Sequence, residues 1–262
     1  MSESNPNRHI IARKLITPPI PLFAKNFPII FFWNPKCGCT SLIKWFFFQQ
    51  GLLQKATDYS PIIHSYRLNV IEKQNNHTQN IIEHLLSGDK DVYKLVRNPY
   101  KRAVSSFFHA IMNKNIMDSI APGVKNGISF KEFLYRLKEN GVERGKVNAH
   151  MVQQYVNGEE LFLNKYIQLE NFVTSIRTIE KQYNLSSSPI NSLIKSPHHI
   201  TQKMNESDNR TYPDVKMSIE SINQPLPPYE NLYDQEAMDL VKTIYKMDFE
   251  RYGYNQNFIV LK

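Results

Sequence analysis

The sequence predicts an α/β domain: a central parallel sheet with flanking helices. Three observations carry that reading. PIIFFW (Pro28–Trp33) is an apolar run of strand length without alternation, as expected of a strand buried on both faces, and VYKLV (Val92–Val96) reads as a second buried strand. Each is followed by a short loop and then a helical pattern, so a strand–loop–helix unit occurs twice. With 262 residues, 41% of them hydrophobic and 21% charged, the chain is globular and long enough for one such domain.

In order, residues 1–27 read as a polar tail and an extended lead-in marked by Pro18, Pro19 and Pro21. After the first strand and the loop Asn34–Cys39, Thr40–Gln50 reads as a largely apolar helix stopped by Gly51. Asp58–Leu68 reads as irregular and contains His64, and Glu72–Leu86 as a surface helix ending at Gly88. The second strand turns at Arg97–Pro99 into a helix from Tyr100 to about Met112, with Val104, Phe107, Phe108 and Ile111 inward. Phe130–Asn140 and Asn148–Val156 read as helices, Tyr166–Glu170 as a third buried strand, and Asn171–Tyr183 as the helix after it. Ser186–Pro228, poor in hydrophobics, reads as a long loop or lid. Asp234–Tyr252 reads as one amphipathic helix closed by Gly253. The expected organisation is a single domain over 28–254, with a C-terminal tail at 255–262.

The net charge of +8 favours an anionic ligand, and its placement says more than its sum. Ser4–Thr57 carries no acid but holds Arg8, Arg13, Lys14, Lys25, Lys36, Lys44 and Lys55. Val92–Met117 is likewise acid-free and holds Lys94, Arg97, Lys101, Arg102 and Lys114. Meeting in space, the two segments would form a positive cleft. The two cysteines, Cys37 and Cys39, build no disulfide framework, which points to a reducing, cytoplasmic setting. Ile10–Pro21 is broken by Arg13, Lys14 and prolines and does not read as a signal peptide. No transmembrane helix is expected.

A loop between a buried strand and a helix offers backbone N–H groups at a helix N-terminus, a site for phosphate or sulfate. Here Lys36 adds a charge, Gly38 permits close approach, and Thr40 and Ser41 add hydroxyls. The order is not that of a P-loop, because the lysine precedes the glycine and the hydroxyls. In RNPYKRAVS, Arg97 sits at the end of the second strand and Ser105 in the helix beyond it. Strand carboxyl ends are where open α/β sheets bind ligands, and a guanidinium matches a phosphate. The strand end carries Arg97 where a phosphotransferase would place an acid for Mg²⁺, so no metal is implied. Each motif is also compatible with an ordinary connection bearing a surface cation. Cys37 and Cys39 lack the partner pair of a zinc site and read as small filler.

PKCGCTS (Pro35–Ser41) resembles the 5′-phosphosulfate loop of sulfotransferases, and RNPYKRAVSSF (Arg97–Phe107) resembles their 3′-phosphate motif, with Arg and Ser eight positions apart. The chain is most similar to the family 2 type that includes carbohydrate O-sulfotransferases. HMVQ (His150–Gln153), Tyr166–Asn171 and MDFERYGY (Met247–Tyr254) resemble later segments of that group. It departs from the Golgi members in lacking an N-terminal anchor and further cysteines, so a soluble bacterial-type enzyme is expected. The resemblance implies a P-loop-NTPase-like sulfotransferase fold and 3′-phosphoadenosine 5′-phosphosulfate as donor. Its sulfuryl group would pass to an acceptor hydroxyl, with a glycan as the leading acceptor. Lys36, the backbone of Cys37, Gly38 and Cys39, and Thr40 and Ser41 would hold the phosphosulfate, with Lys36 also catalytic. Arg97 and Ser105 would hold the 3′-phosphate, and Arg102 would assist or lie exposed.

The acceptor hydroxyl must lose a proton, and histidine is the natural base near neutral pH. His64 lies between the two motifs, where related glycan sulfotransferases tend to place such a base. His109, His150, His198, His199 and Glu170 are further candidates. A kinase-like phosphotransferase is disfavoured by the missing Walker Lys-Ser/Thr pair and strand-end acid. A nucleic-acid-binding protein is disfavoured because the cations sit in two strand-end loops rather than along one surface.

Overall fold

The structure, a computed structural model, describes residues 6–124, 126–195, 203–205 and 208–257. In chain order its elements are α1 (Pro6–Leu15), β1 (Ile29–Trp33), α2 (Cys39–Gln49), α3 (Leu53–Tyr59), α4 (Ile63–Tyr66) continued by a π turn (Arg67–Ile71), α5 (His77–Ser87) and β2 (Asp91–Val96). These are followed by α6 (Pro99–Ile111), α7 (Lys114–Ile120), α8 (Phe130–Asn140), β3 (Lys165–Gln168), α9 (Phe172–Gln182), α10 (Ile190–Leu193), α11 (Gln235–Ile244) and α12 (Lys246–Tyr252). The fold is α/β, with a parallel sheet of order β1-β2-β3 and flanking helices. The elements gather into two compact units. One holds the described residues up to Val96 and from Asn157 to Lys195, and the other holds the rest.

The first unit contains the sheet. All five residues of β1 are buried, and its register (Ile30 beside Val92, Trp33 beside Leu95) brings the carboxyl ends of β1 and β2 side by side. β3 pairs with the other edge of β2, Val96 beside Gln168. Tyr166 is exposed and Ile167 buried, so β3 has one open face rather than the two covered ones expected, and it ends the sheet among the described residues. The core is aromatic: Phe31 meets Trp45 edge-on at 5.4 Å, and Phe46 and Phe47 of α2 are buried with them. The Trp45 indole N–H donates to the Glu180 carboxylate of α9 at 2.9 Å, satisfying a buried polar atom on each side.

In this unit α1, α3, α4 with its π turn, and α10 were not expected. Residues taken as a polar tail form α1, because Ile11, Ala12 and Leu15 fall on one helical face that packs against α5. The stretch taken as irregular, Asp58–Leu68, contains α4 and the start of the π turn.

The second unit centres on α6, where only Lys101 and His109 escape burial. Its start is fixed by Asn98, whose side chain accepts from the N–H groups of Tyr100 and Lys101 at 3.0 and 3.3 Å, and by Pro99 in the first turn. α8 opens on a capping box between Ser129 and Glu132. Three expectations are corrected. Asn148–Val156 is a chain of turns, because the N–H groups of Gln154 and Tyr155 donate to the Asp248 carboxylate instead of to a helix. The helix expected over Asp234–Tyr252 breaks at Tyr245, whose buried hydroxyl donates to the Met151 carbonyl at 2.8 Å. Within the expected lid, Met217, Ile222 and Leu226 belong to the core, and Met217 bridges Ile128. Residues 196–202, 206 and 207 of that lid lie outside the described residues.

Candidate active site

In the first unit the chain leaves β1 through Asn34, Pro35 and Lys36 and enters α2 at Cys39. Two left-handed residues, Lys36 (φ 68°) and Gly38 (φ 82°), fold the connection back so that the first turn of α2 faces it. Gly38 is required twice. Its φ suits glycine, and a Cβ there would stand 2.3 Å from Leu169 Cδ1 at the end of β3. The Cys37 N–H is spent inside the turn on the Asn34 carbonyl at 3.3 Å, and its buried thiol faces the Pro35 carbonyl. Cys37 is therefore filler with no N–H to offer an anion, contrary to its expected share in the loop. The N–H groups of Ser41 and Leu42 donate to the Gly38 carbonyl at 3.1 and 3.2 Å, and the start of α2 carries its positive dipole end. Ser41 is buried, whereas Thr40 is half-buried. The Asn34 side chain is fully buried, and its amide nitrogen and oxygen find no hydrogen-bond partner among the described residues.

His64, on α4, reaches this connection. Its Nε2 lies 3.5 Å from Cys39 Sγ, and its ring packs against Trp33 with centroids 5.7 Å apart. The same indole lies under the Arg67 guanidinium at 4.9 Å, and Arg67 pairs with Glu72. Burial, reinforced by the Arg67 cation, pulls the His64 imidazole down to about 4. Burial pushes the Cys39 thiol up, against the pull of Lys36 and Arg67. Both partners are thus neutral at pH 7, and His64 keeps one ring nitrogen unprotonated.

This depressed value links the site to stability. The folded state holds His64 neutral, while the unfolded chain takes up a proton below about 6.5. Stability is therefore lost as pH falls from about 6.5 towards 4. Between pH 7 and 5 the wild-type protein should lose about 2 kcal/mol more than His64→Gln in urea titrations. Parallel curves for the two proteins would refute the depression.

In the second unit, Arg97 opens the chain after β2 and is gripped at its backbone. Its N–H donates to Gln154 Oε1 at 2.8 Å, and its carbonyl accepts from Gln154 Nε2 at 2.9 Å. Gln154 is held in turn by Asp248, which accepts from its N–H at 2.9 Å and its side chain at 3.2 Å. Burial raises the Asp248 carboxyl, opposed by the Arg102 cation and the N–H donors of Gln154 and Tyr155. The Arg97 guanidinium donates to the Tyr229 hydroxyl at 3.0 Å. Ser105 lies buried on α6. Arg102 is 1% exposed and points at the His150 carbonyl and the Tyr245 ring. It is an interior residue, not an exposed helper.

The structure thus brings Lys36, Cys39 and His64 together within the first unit, and Arg97, Gln154 and Asp248 within the second. His109 and His150 stack on each other at 4.0 Å between centroids, with His150 Nδ1 on Asn148 Oδ1 at 2.8 Å. Glu170 lies exposed beside Leu169, and His198 and His199 lie outside the described residues. Lys94, counted as a cleft cation, is buried and paired with Glu159 at 2.5 Å. Trp33, Arg67 and Gln154 were not anticipated. A tryptophan closing a buried strand was the available signal for the first, whereas the other two depend on contacts distant in sequence. A family model described as "Sulfotransferase family" matches residues 22–255. No curated protein and no solved structure matches the chain.

Proposed function

We propose that this chain, which belongs to the sulfotransferase family, transfers the sulfuryl group of 3′-phosphoadenosine 5′-phosphosulfate to a hydroxyl of a carbohydrate. The observation that carries the reading is the juxtaposition of a neutral imidazole with an anion-binding helix start: His64 Nε2 stands 3.5 Å from the side chain of the first residue of α2. A phosphosulfate seated on that start, with Lys36 beside it, would present its sulfur to an acceptor held against His64. The acceptor oxygen attacks sulfur as the bond from sulfur to the bridging phosphate oxygen breaks. The hydroxyl proton passes to His64 Nε2, and the charge left on phosphate is met by Lys36 and the N–H groups of Gly38, Cys39 and Thr40. The donor's own negative charge raises the basicity of His64 once bound. The orphan amide of Asn34 is the kind of buried polar group that a ligand satisfies.

Arg97 and Ser105 would receive the 3′-phosphate, with Arg97 set by the Gln154–Asp248 clamp. Because Tyr229 holds the guanidinium in the free protein, donor binding would exchange or share that contact. Two unbridged thiols fit a reducing, cytoplasmic setting.

Calorimetric titration tests the donor site. Without Mg²⁺, 3′-phosphoadenosine 5′-phosphate should bind more tightly than AMP. Arg97→Ala should erase that preference, losing 2–5 kcal/mol for one charged partner, or roughly 30- to 5,000-fold in Kd. Equal binding of the two nucleotides by the wild-type protein would refute the reading.

A further inference from the structure

A pocket of about 420 Å³ opens in the first unit beside the π turn that follows α4. It is lined by the apolar Ile20 and Leu68 and by the polar Asn69, Glu72, Lys73, His77 and Thr78. His77 is 6% exposed, and its ring nitrogens make no hydrogen bond among the described residues. The ring packs edge-on against Phe23 at 5.9 Å, and ring nitrogens without a hydrogen bond at a pocket wall can take one from a ligand.

The pocket's position relates it to the chemistry. Leu68 follows His64 by four residues and Asn69 follows it by five. Where a helix passes into π geometry, with its i to i+5 pairing, both positions fall on the His64 face, one turn along. The walls converge on the same residues. Glu72 pairs with Arg67, which stacks on Trp33. The Trp33 indole N–H donates to the carbonyl of Ile20 at 3.2 Å. The pocket is thus linked to His64 along the helix and through Arg67 and Trp33, and does not contain it.

We propose that this pocket is an acceptor subsite for a neutral, hydroxyl-rich sugar ring, next along the glycan from the hydroxyl presented to His64. This rests on the reading of His64 as the base. The lining offers an amide, a hydroxyl, an imidazole, an ammonium and a carboxylate to ring hydroxyls, and two aliphatic side chains to the C–H face. The wall holds the Glu72 carboxylate, which is paired with Arg67, and a carboxylate in the lining opposes a uronate or a sulfated ring. Its volume lies within the range of small-molecule sites, about 300–1,000 Å³.

The test uses the full chain with ¹³C-labelled histidine, the His77 ring signal being assigned by its loss in His77→Gln. Neutral methyl glycosides (galactoside, glucoside, mannoside) and methyl glucuronide are titrated to ~20 mM, enough to fill most of a site with a Kd of about 1 mM. At least one neutral glycoside should move the His77 signal saturably, and glucuronide should be about tenfold weaker. Asn69→Leu, an exposed position, should weaken the neutral glycoside about tenfold, the worth of one hydrogen-bonding side chain. Nucleotide affinity in that variant should stay within about twofold, since Asn69 takes no part in the anion site. No movement by any glycoside overturns the subsite, and glucuronide equalling the neutral sugars overturns its neutral specificity. Failure of the bisphosphate to bind in the same samples would instead remove the donor reading and leave the pocket result standing.

Discussion

Lys36→Ala should lower sulfuryl transfer about 10²- to 10³-fold while leaving the fold intact. The expectation follows from where negative charge develops. The leaving phosphate oxygen gains charge only as the bond to sulfur breaks, so a cation fixed there stabilises the transition state more than the ground state. Removing one such preorganised group costs about 3–4 kcal/mol in comparable sites. Lys36 is half-buried, in a turn whose backbone is set by its own left-handed φ and by Gly38. Alanine keeps the Cβ and leaves Cys37 bonded to Asn34, so the thermal midpoint should fall by no more than a few degrees. The assay follows labelled sulfate from the donor into a pooled glycan acceptor. A kcat within threefold of wild type would remove Lys36 from the chemistry. A large loss of Tm would attribute the rate loss to folding instead.

Much of this was legible before the fold was known, and the reasons are local. The sheet could be read because β1 and β2 are buried, β1 as an unbroken apolar run and β2 as an apolar run interrupted only by Lys94 after Asp91. α8 could be read to the residue because Ser129, Glu132 and Gly141 mark its ends chemically. What escaped depends on partners distant in sequence. Asn148–Val156 has a helical pattern, but its N–H groups are claimed by Asp248, some 90 residues on. Tyr245 breaks a helix because its hydroxyl is needed at Met151. In the site, Lys36 and Gly38 stood out by spacing, whereas Arg67 appears in no motif. It matters only because the π turn carries it over Trp33.

Lys94 is the sharpest case of charge misread from sequence, and it carries the largest expected effect on stability. It sits at the middle of the central strand, between Phe32 and Tyr166 in register, with a side chain 2% exposed. Its ammonium meets Glu159, which is 0% exposed, at 2.5 Å. Glu159 opens a short 3-10 turn after Gly158, whose φ of 90° suits glycine and whose Cβ would stand 2.6 Å from Ile11 Cδ1. The pair therefore ties the sheet's centre to the turn that feeds β3. Two buried charges gain little over well-packed apolar groups, but either alone is costly. Glu159→Gln and Lys94→Met should thus each destabilise the protein by about 3–5 kcal/mol in urea titrations at pH 7. The double variant Lys94→Met/Glu159→Gln should lose well below the sum of the two single losses, a coupling of about 2 kcal/mol or more. Single losses below about 1 kcal/mol, as for exposed pairs, would mean that the ammonium reaches water and that Lys94 can be returned to the cations available for an anionic ligand.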